Sequence, residues 1–326
     1  MKNLLPMNAT ARLFSLVLFV ALLTGCRYTT PTSVPQELTV WPEMTYPQDN
    51  APDAQKQALG ELLFNDPILS IDSSISCASC HKIEYGLADH LPVSPGVEGR
   101  LGKRNSPSLW NVGYQPYLMR EGGVPTLEMQ ALVPIQEHVE MDFNLVLLAE
   151  RLNQSSDYRS AFSDAFGDSA TAYTVTRALG QYQRTLISNQ APIDSYISGD
   201  ESALSKVAQE GLELFYGKAN CSQCHTGPLF TDYGFYNNGT PTNENDYGRA
   251  QLTLDSADFF TFKTPSLRHV SETAPYMHDG SLPSLSAVLQ RYNEGGTGHP
   301  YQSEHIEPLN LSAAELVALE RFLEAL

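Results

Sequence analysis

Apolar positions recur at three- and four-residue spacing along much of this chain. The stretches leading into 60–64 and covering 144–152, 158–166, 174–188 and 205–216, with another from about Leu285, predict amphipathic helices. A last helix is expected from Ser312, where Glu315 completes a capping box, to the C-terminus. Residues 227–262 are rich in Gly, Asn, Asp and aromatics and read as a long loop or a short hairpin. The expected class is all-α.

One apolar run does not belong to this pattern. Residues 13–23 are apolar, follow Lys2 and Arg12, and end in Leu23-Thr24-Gly25-Cys26. The run is too short to span a bilayer and suits a signal peptide over 1–25. Its ending resembles a bacterial lipobox, which would lipidate Cys26. The expected location is the periplasm, with Cys26 as the only membrane attachment. Arg27 after the Cys suggests the outer membrane. Residues 26–53 are rich in Pro, Thr, Ser and Gln, and their composition reads as a flexible tether. The 326 residues suit two domains of ordinary size, expected at 54–200 and 201–326. Loss of residues 1–25 would delete two positive charges and no acid, taking the net charge from −17 to −19. Such a surface repels nucleic acid and favours a basic protein partner.

The remaining four cysteines form Cys77-Ala78-Ser79-Cys80-His81 and Cys221-Ser222-Gln223-Cys224-His225. Two thiols at this spacing add to the two vinyl groups of haem, and the adjacent His turns its imidazole onto the iron. Two covalently bound haem c groups are therefore expected, with His81 on the first iron and His225 on the second.

The motifs lie in two copies of one unit. Gly60-Glu61-Leu62-Leu63-Phe64 precedes the first, and Gly211-Leu212-Glu213-Leu214-Phe215 the second. Pro107-Ser108-Leu109 and Pro265-Ser266-Leu267 follow. Fifteen residues past each Pro stands Gly122 or Gly280, each followed by Pro-Thr-Leu or Pro-Ser-Leu opening a helix. This predicts two cytochrome-c-like domains related by an internal repeat. Twelve residues beyond Gly280 is Tyr292, whereas twelve beyond Gly122 is Pro134. A phenol would then face one haem where the other has no ligand, leaving the first iron open to a small molecule.

These segments resemble the bacterial di-haem cytochrome c peroxidases, a family that includes MauG-like enzymes, over roughly residues 54–326. The resemblance rests on the first haem motif, Arg104-Asn105-Ser106-Pro107, Leu127-Glu128-Met129-Gln130-Ala131, Val139-Glu140-Met141 and Thr273-Ala274-Pro275-Tyr276-Met277-His278-Asp279-Gly280. It implies a peroxidatic N-terminal haem and a C-terminal haem that accepts electrons from a small cytochrome c or copper protein. Glu140 is implied as acid/base for hydrogen peroxide, with Gln130 lining the same pocket. A calcium ion between the domains is implied at Asn105, Thr273 and Pro275. A homodimer is compatible with the sequence, which fixes no oligomeric state.

Three positions depart from the family pattern. The residue sixteen past His81, often a distal His, is Val97; His90 and His138 lie nearby. The position usually held by an inter-haem Trp is Arg120, with Trp110 as a substitute route. Tyr292 stands where standard peroxidases have Met, as in the MauG-like branch; Met277 is the other candidate ligand. Three functions follow: reduction of hydrogen peroxide to water, MauG-like oxidation of side chains on a partner protein, or electron carriage without catalysis.

Overall fold

The computed structural model describes residues 35–241 and 245–326. The expected signal peptide, Cys26 and the first part of the tether lie outside them.

Two helix pairs carry the fold. α1 (Ala54–Asn65) starts where Asp53 accepts the Gln55 and Lys56 N–H groups. α2 (Cys77–Cys80) holds the first Cys pair. α3 (Leu127–Gln130), α4 (Leu132–Gln136), α5 (Leu145–Gln154) and α6 (Ser156–Phe166) follow. α7 (Ala172–Gln183) opens on a Thr171/Thr174 capping box and crosses α1. After α8 (Pro192–Ile197), α9 (Lys206–Tyr216) is capped by Ser205. Between α9 and α11 stand α10 (Ala250–Thr253) and two short antiparallel strands, β1 (Phe235–Tyr236) and β2 (Phe262–Lys263). α11 is Leu285–Asn293. α12 (Ala313–Leu323) opens on the Ser312/Glu315 box and packs on α9. The described residues are mostly helical, and none of their helices is long and apolar enough to cross a membrane.

The repeat is visible atom by atom. A Cβ at Gly60 would stand 2.0 Å from Ala178 O, and one at Gly211 would stand 2.0 Å from Ala318 O, so each α1·α7-type crossing is closed by a missing side chain. Ser108 Oγ donates to Gly86 O and Ser266 Oγ to Leu229 O. Two hydrophobic clusters result. One includes Leu63, Leu148, Phe162 and Val175; the other includes Phe215, Phe230, Leu319 and Phe322.

Residues 35–53 do not behave as the tether that their composition suggested. Leu38 is buried in the second cluster. Trp41 packs against Tyr114 and under the Arg268 guanidinium. Asn50 is fully buried against the first half, donating to Glu128 Oε1 at 2.6 Å and to Arg177 O at 3.1 Å. The segment is a strap across both halves, because a few apolar and amide side chains find buried partners that composition alone does not reveal.

Candidate functional site

The two Cys-x-x-Cys-His loops open onto one continuous cavity of about 780 Å³, in the size range of cofactor sites. In the first loop His81 Nδ1 lies 3.0 Å from Leu87 O; in the second His225 Nδ1 lies 3.0 Å from Phe230 O. A carbonyl only accepts, so Nδ1 carries the hydrogen in both rings and each Nε2 keeps its lone pair for a metal. Burial lowers the pKa of both imidazoles, which keeps them neutral. Cys77, Cys80, Cys221 and Cys224 are all half-buried. Burial pushes the Cys77 and Cys221 thiols up to about 12, the opposite of a reactive redox dithiol. Paired thiols, a pre-set imidazole and an adjoining cavity suit covalent haem at both loops.

Glu140, Gln130 and Pro134 line this cavity on the first half. Glu140 follows the short α4, whose Pro134 carbonyl accepts from Met141 N at 3.1 Å. Its own carbonyl accepts from Val97 N at 2.8 Å, so the Val97 loop fixes its backbone. Burial raises the Glu140 carboxyl, and Glu137 adds to the rise. Burial is the main cause of the raised Cys77 and Cys80 thiols, but the charge of Glu140 also contributes to both, which sets this acid beside the first loop. Val97 is fully buried. Neither His90 nor His138 lines the cavity: His90 pairs with Asp89 and meets the Tyr85 ring at a tilt of 36°, while His138 pairs with Asp142.

On the second half Tyr292 and Met277 line the cavity. Both receive a hydrogen bond from Asn238 Nδ2, at 3.1 Å to the phenol oxygen and 3.3 Å to the sulfur. Burial raises the Tyr292 phenol, while the Asn238 hydrogen bond works against that rise. His278 and His305 also line the cavity. His278 stacks on Phe262 at 4.0 Å, and His305 meets the Tyr236 ring edge-on. Sequence reasoning gave neither histidine a role, nor Asn238; nothing in local spacing marks them.

The two halves meet around Arg104, Asn105 and Arg120. Arg104 bridges Glu121 and Asp246 with hydrogen bonds of 2.6–2.8 Å. Asn105 N donates to His278 O at 2.9 Å, joining two of the motifs quoted above. Arg120 Nη2 donates to both oxygens of Asn105, at 2.9 Å to Oδ1 and 3.2 Å to the carbonyl. This changes the expectation of calcium at Asn105, Thr273 and Pro275. Thr273 and Pro275 line the cavity, but the Asn105 oxygens already face a guanidinium. Burial lowers Arg120 to about 10, so it stays charged at neutral pH. Burial, and then the charge of Arg120, bring nearby Lys263 down to about 7. A divalent cation on Asn105 Oδ1 would stand against fixed positive charge, so these residues do not fit calcium beside Arg120. Trp110 also lines the cavity and stacks on His269 of the other copy at 5.0 Å and 22°.

Comparison with known proteins agrees with this geometry. Residues 54–202 match the family model for di-haem cytochrome c peroxidase. The chain is 39% identical over 304 residues to methylamine utilization protein MauG of Methylorubrum extorquens, spanning 92% of this chain and 83% of that protein. It is 36% identical over 310 residues to cytochrome-c peroxidase IdrP2 of Denitromonas iodatirespirans, spanning 86% and 83%. Among solved structures it resembles a MauG-like protein associated with microbial copper homeostasis, with TM-score 0.83, 29% identity, and coverage of 92% and 95% of the two chains. The chain belongs to the di-haem cytochrome c peroxidase family.

Proposed function

We propose that the chain is a di-haem peroxidase that reduces hydrogen peroxide to water with electrons from a small redox protein. The family implies two haem c groups. We assign them to Cys77, Cys80 and His81 in a domain over 54–200, and to Cys221, Cys224 and His225 in a domain over 201–326. Bound there, the haems supply one-electron redox chemistry and an iron site where peroxide binds.

The protein's part is proton handling and control of access. Each molecule of peroxide takes up two electrons and two protons to give two waters. Glu140, ionised, takes the proton from the near oxygen of peroxide and returns it to the far one, which then leaves as water. Gln130 offers an amide to the same pocket. Pro134 and Val97 carry no ligand atom, so an iron held by His81 would find no second protein ligand at those positions, whereas Tyr292 would offer its phenol oxygen to an iron held by His225. The Trp110–His269 stack bridges the two copies and offers an electron route in place of the missing inter-haem Trp. The single observation that carries this reading is Glu140, its pKa raised by burial, on the cavity wall beside the first haem loop. Replacing Glu140 by Gln should leave haem content unchanged and lower peroxide turnover by at least about 100-fold; turnover at the wild-type rate would remove the assignment.

A MauG-like reading, in which peroxide drives oxidation of side chains on a partner protein, is the second choice. It is favoured by Tyr292 on the cavity wall and by the likeness to MauG. Steady turnover with a reduced small cytochrome or copper protein separates the two. We further propose export to the periplasm, with lipidation of Cys26 holding the enzyme to the outer membrane.

A further inference from the structure

Asn238 lies two residues past β1, in the connection that lacks any periodic pattern. Its carboxamide stands between two side chains on the cavity wall of the second half. Nδ2 donates to Tyr292 Oη at 3.1 Å and to Met277 Sδ at 3.3 Å. The other end of the amide fixes its orientation, since Thr240 N donates to Asn238 Oδ1 at 3.1 Å. A flipped amide would set NH₂ against the Thr240 N–H and a carbonyl against a thioether, two contacts with no hydrogen to share. The phenol oxygen is therefore an acceptor here, with a lone pair left for a Lewis acid on the cavity side.

Phenolate and thioether are both haem-iron ligands, and they pull the potential in opposite directions. We propose that Asn238 is a positioning residue that holds the Tyr292 oxygen for the second iron and, through its hydrogen bond to that oxygen, sets the potential of that haem. The inference rests on the reading that Tyr292 caps the second haem. Two physical effects act together. A hydrogen bond to an ionised oxygen is roughly twice as strong as one to a neutral oxygen, and a thioether is a weak acceptor. The amide thus gains most when Tyr292 loses its proton to become a ligand, while its second hydrogen occupies the sulfur. Once the phenolate is bound, the same hydrogen bond draws charge from it. The potential then lies above that of an unsupported phenolate and suits a haem that must accept electrons.

The test uses the purified holoprotein, with haem content measured first. Midpoint potentials of the two haems and the ferric charge-transfer bands are recorded for wild type, Asn238→Leu, Asn238→Asp, Tyr292→Phe and Met277→Leu. Asn238→Asp keeps the acceptor for Thr240 N and removes both donors, so a folding failure of the Leu variant does not end the test. In both Asn238 variants the second haem's potential should fall and its phenolate band shift, with the first haem unchanged. Met277→Leu should alter neither. If Tyr292→Phe changes the second haem but both Asn238 variants match wild type, Asn238 has no such role and Tyr292 keeps its own. If Tyr292→Phe is silent, or Met277→Leu removes the ligand, both readings fall.

Discussion

Glu140 shows how burial sets the working range of a single group. An ordinary glutamate titrates near pH 4.3. Burial favours the neutral form of Glu140, and the neighbouring Glu137 charge does the same, so both raise its pKa. The base is active only when ionised. Peroxide turnover should therefore decline on acidification through a value above the ordinary one, and Glu137→Gln should move that acid limb to lower pH. A limb unchanged in Glu137→Gln would show that another group controls it. Arg120 acts differently, as a fixed charge. With its guanidinium on both oxygens of Asn105, dialysis against a calcium chelator should leave the haem spectra and peroxide turnover unaltered. A chelator-induced spectral change reversed by added calcium would contradict that account. At this scale the haem ligands were legible in the sequence because covalent attachment requires Cys, Cys and His within five consecutive residues. Asn238 and His305 were not, because tertiary approach alone brings each to the cavity wall.

At the scale of elements, the helix crossings carry the repeat. Gly60 lets α1 touch the Ala178 carbonyl of α7, and Gly211 lets α9 touch the Ala318 carbonyl of α12. Gly60→Ala and Gly211→Ala should each destabilise the protein by about 1–3 kcal/mol in denaturant titration, since the new methyl meets backbone that cannot rotate away. Wild-type stability in either would mean that the crossing relaxes freely. Most of these helices were legible from period and caps: Asn144, Ser205 and Ser312 each cap where a helix was expected to start. The helix expected over 174–188 stops at Gln183. Asn111 takes the Leu186 and Ser188 carbonyls with its N–H and its side-chain amide, and so draws that stretch out of the helical ladder. That partner lies more than seventy residues away, where local pattern has no reach.

At the scale of the whole molecule, two similar halves around one cavity are made unequal by a few residues. Pro134 and Tyr292 stand at matching positions, one without a ligand atom and one with a phenol, and Glu140 puts a carboxyl of raised pKa on the cavity wall of the first half. Residues 35–53 tie the halves together through Leu38, Trp41 and Asn50, a role hidden by a composition that suggested a tether. The inequality is the central claim, and resting-state resonance spectroscopy of the ferric holoprotein tests it most directly, with Tyr292→Phe alongside. The expected result is one high-spin haem with a vacant site that reacts with peroxide, and one low-spin haem whose signal alone changes in Tyr292→Phe. Two identical low-spin haems, unmoved by peroxide and by the substitution, would contradict it.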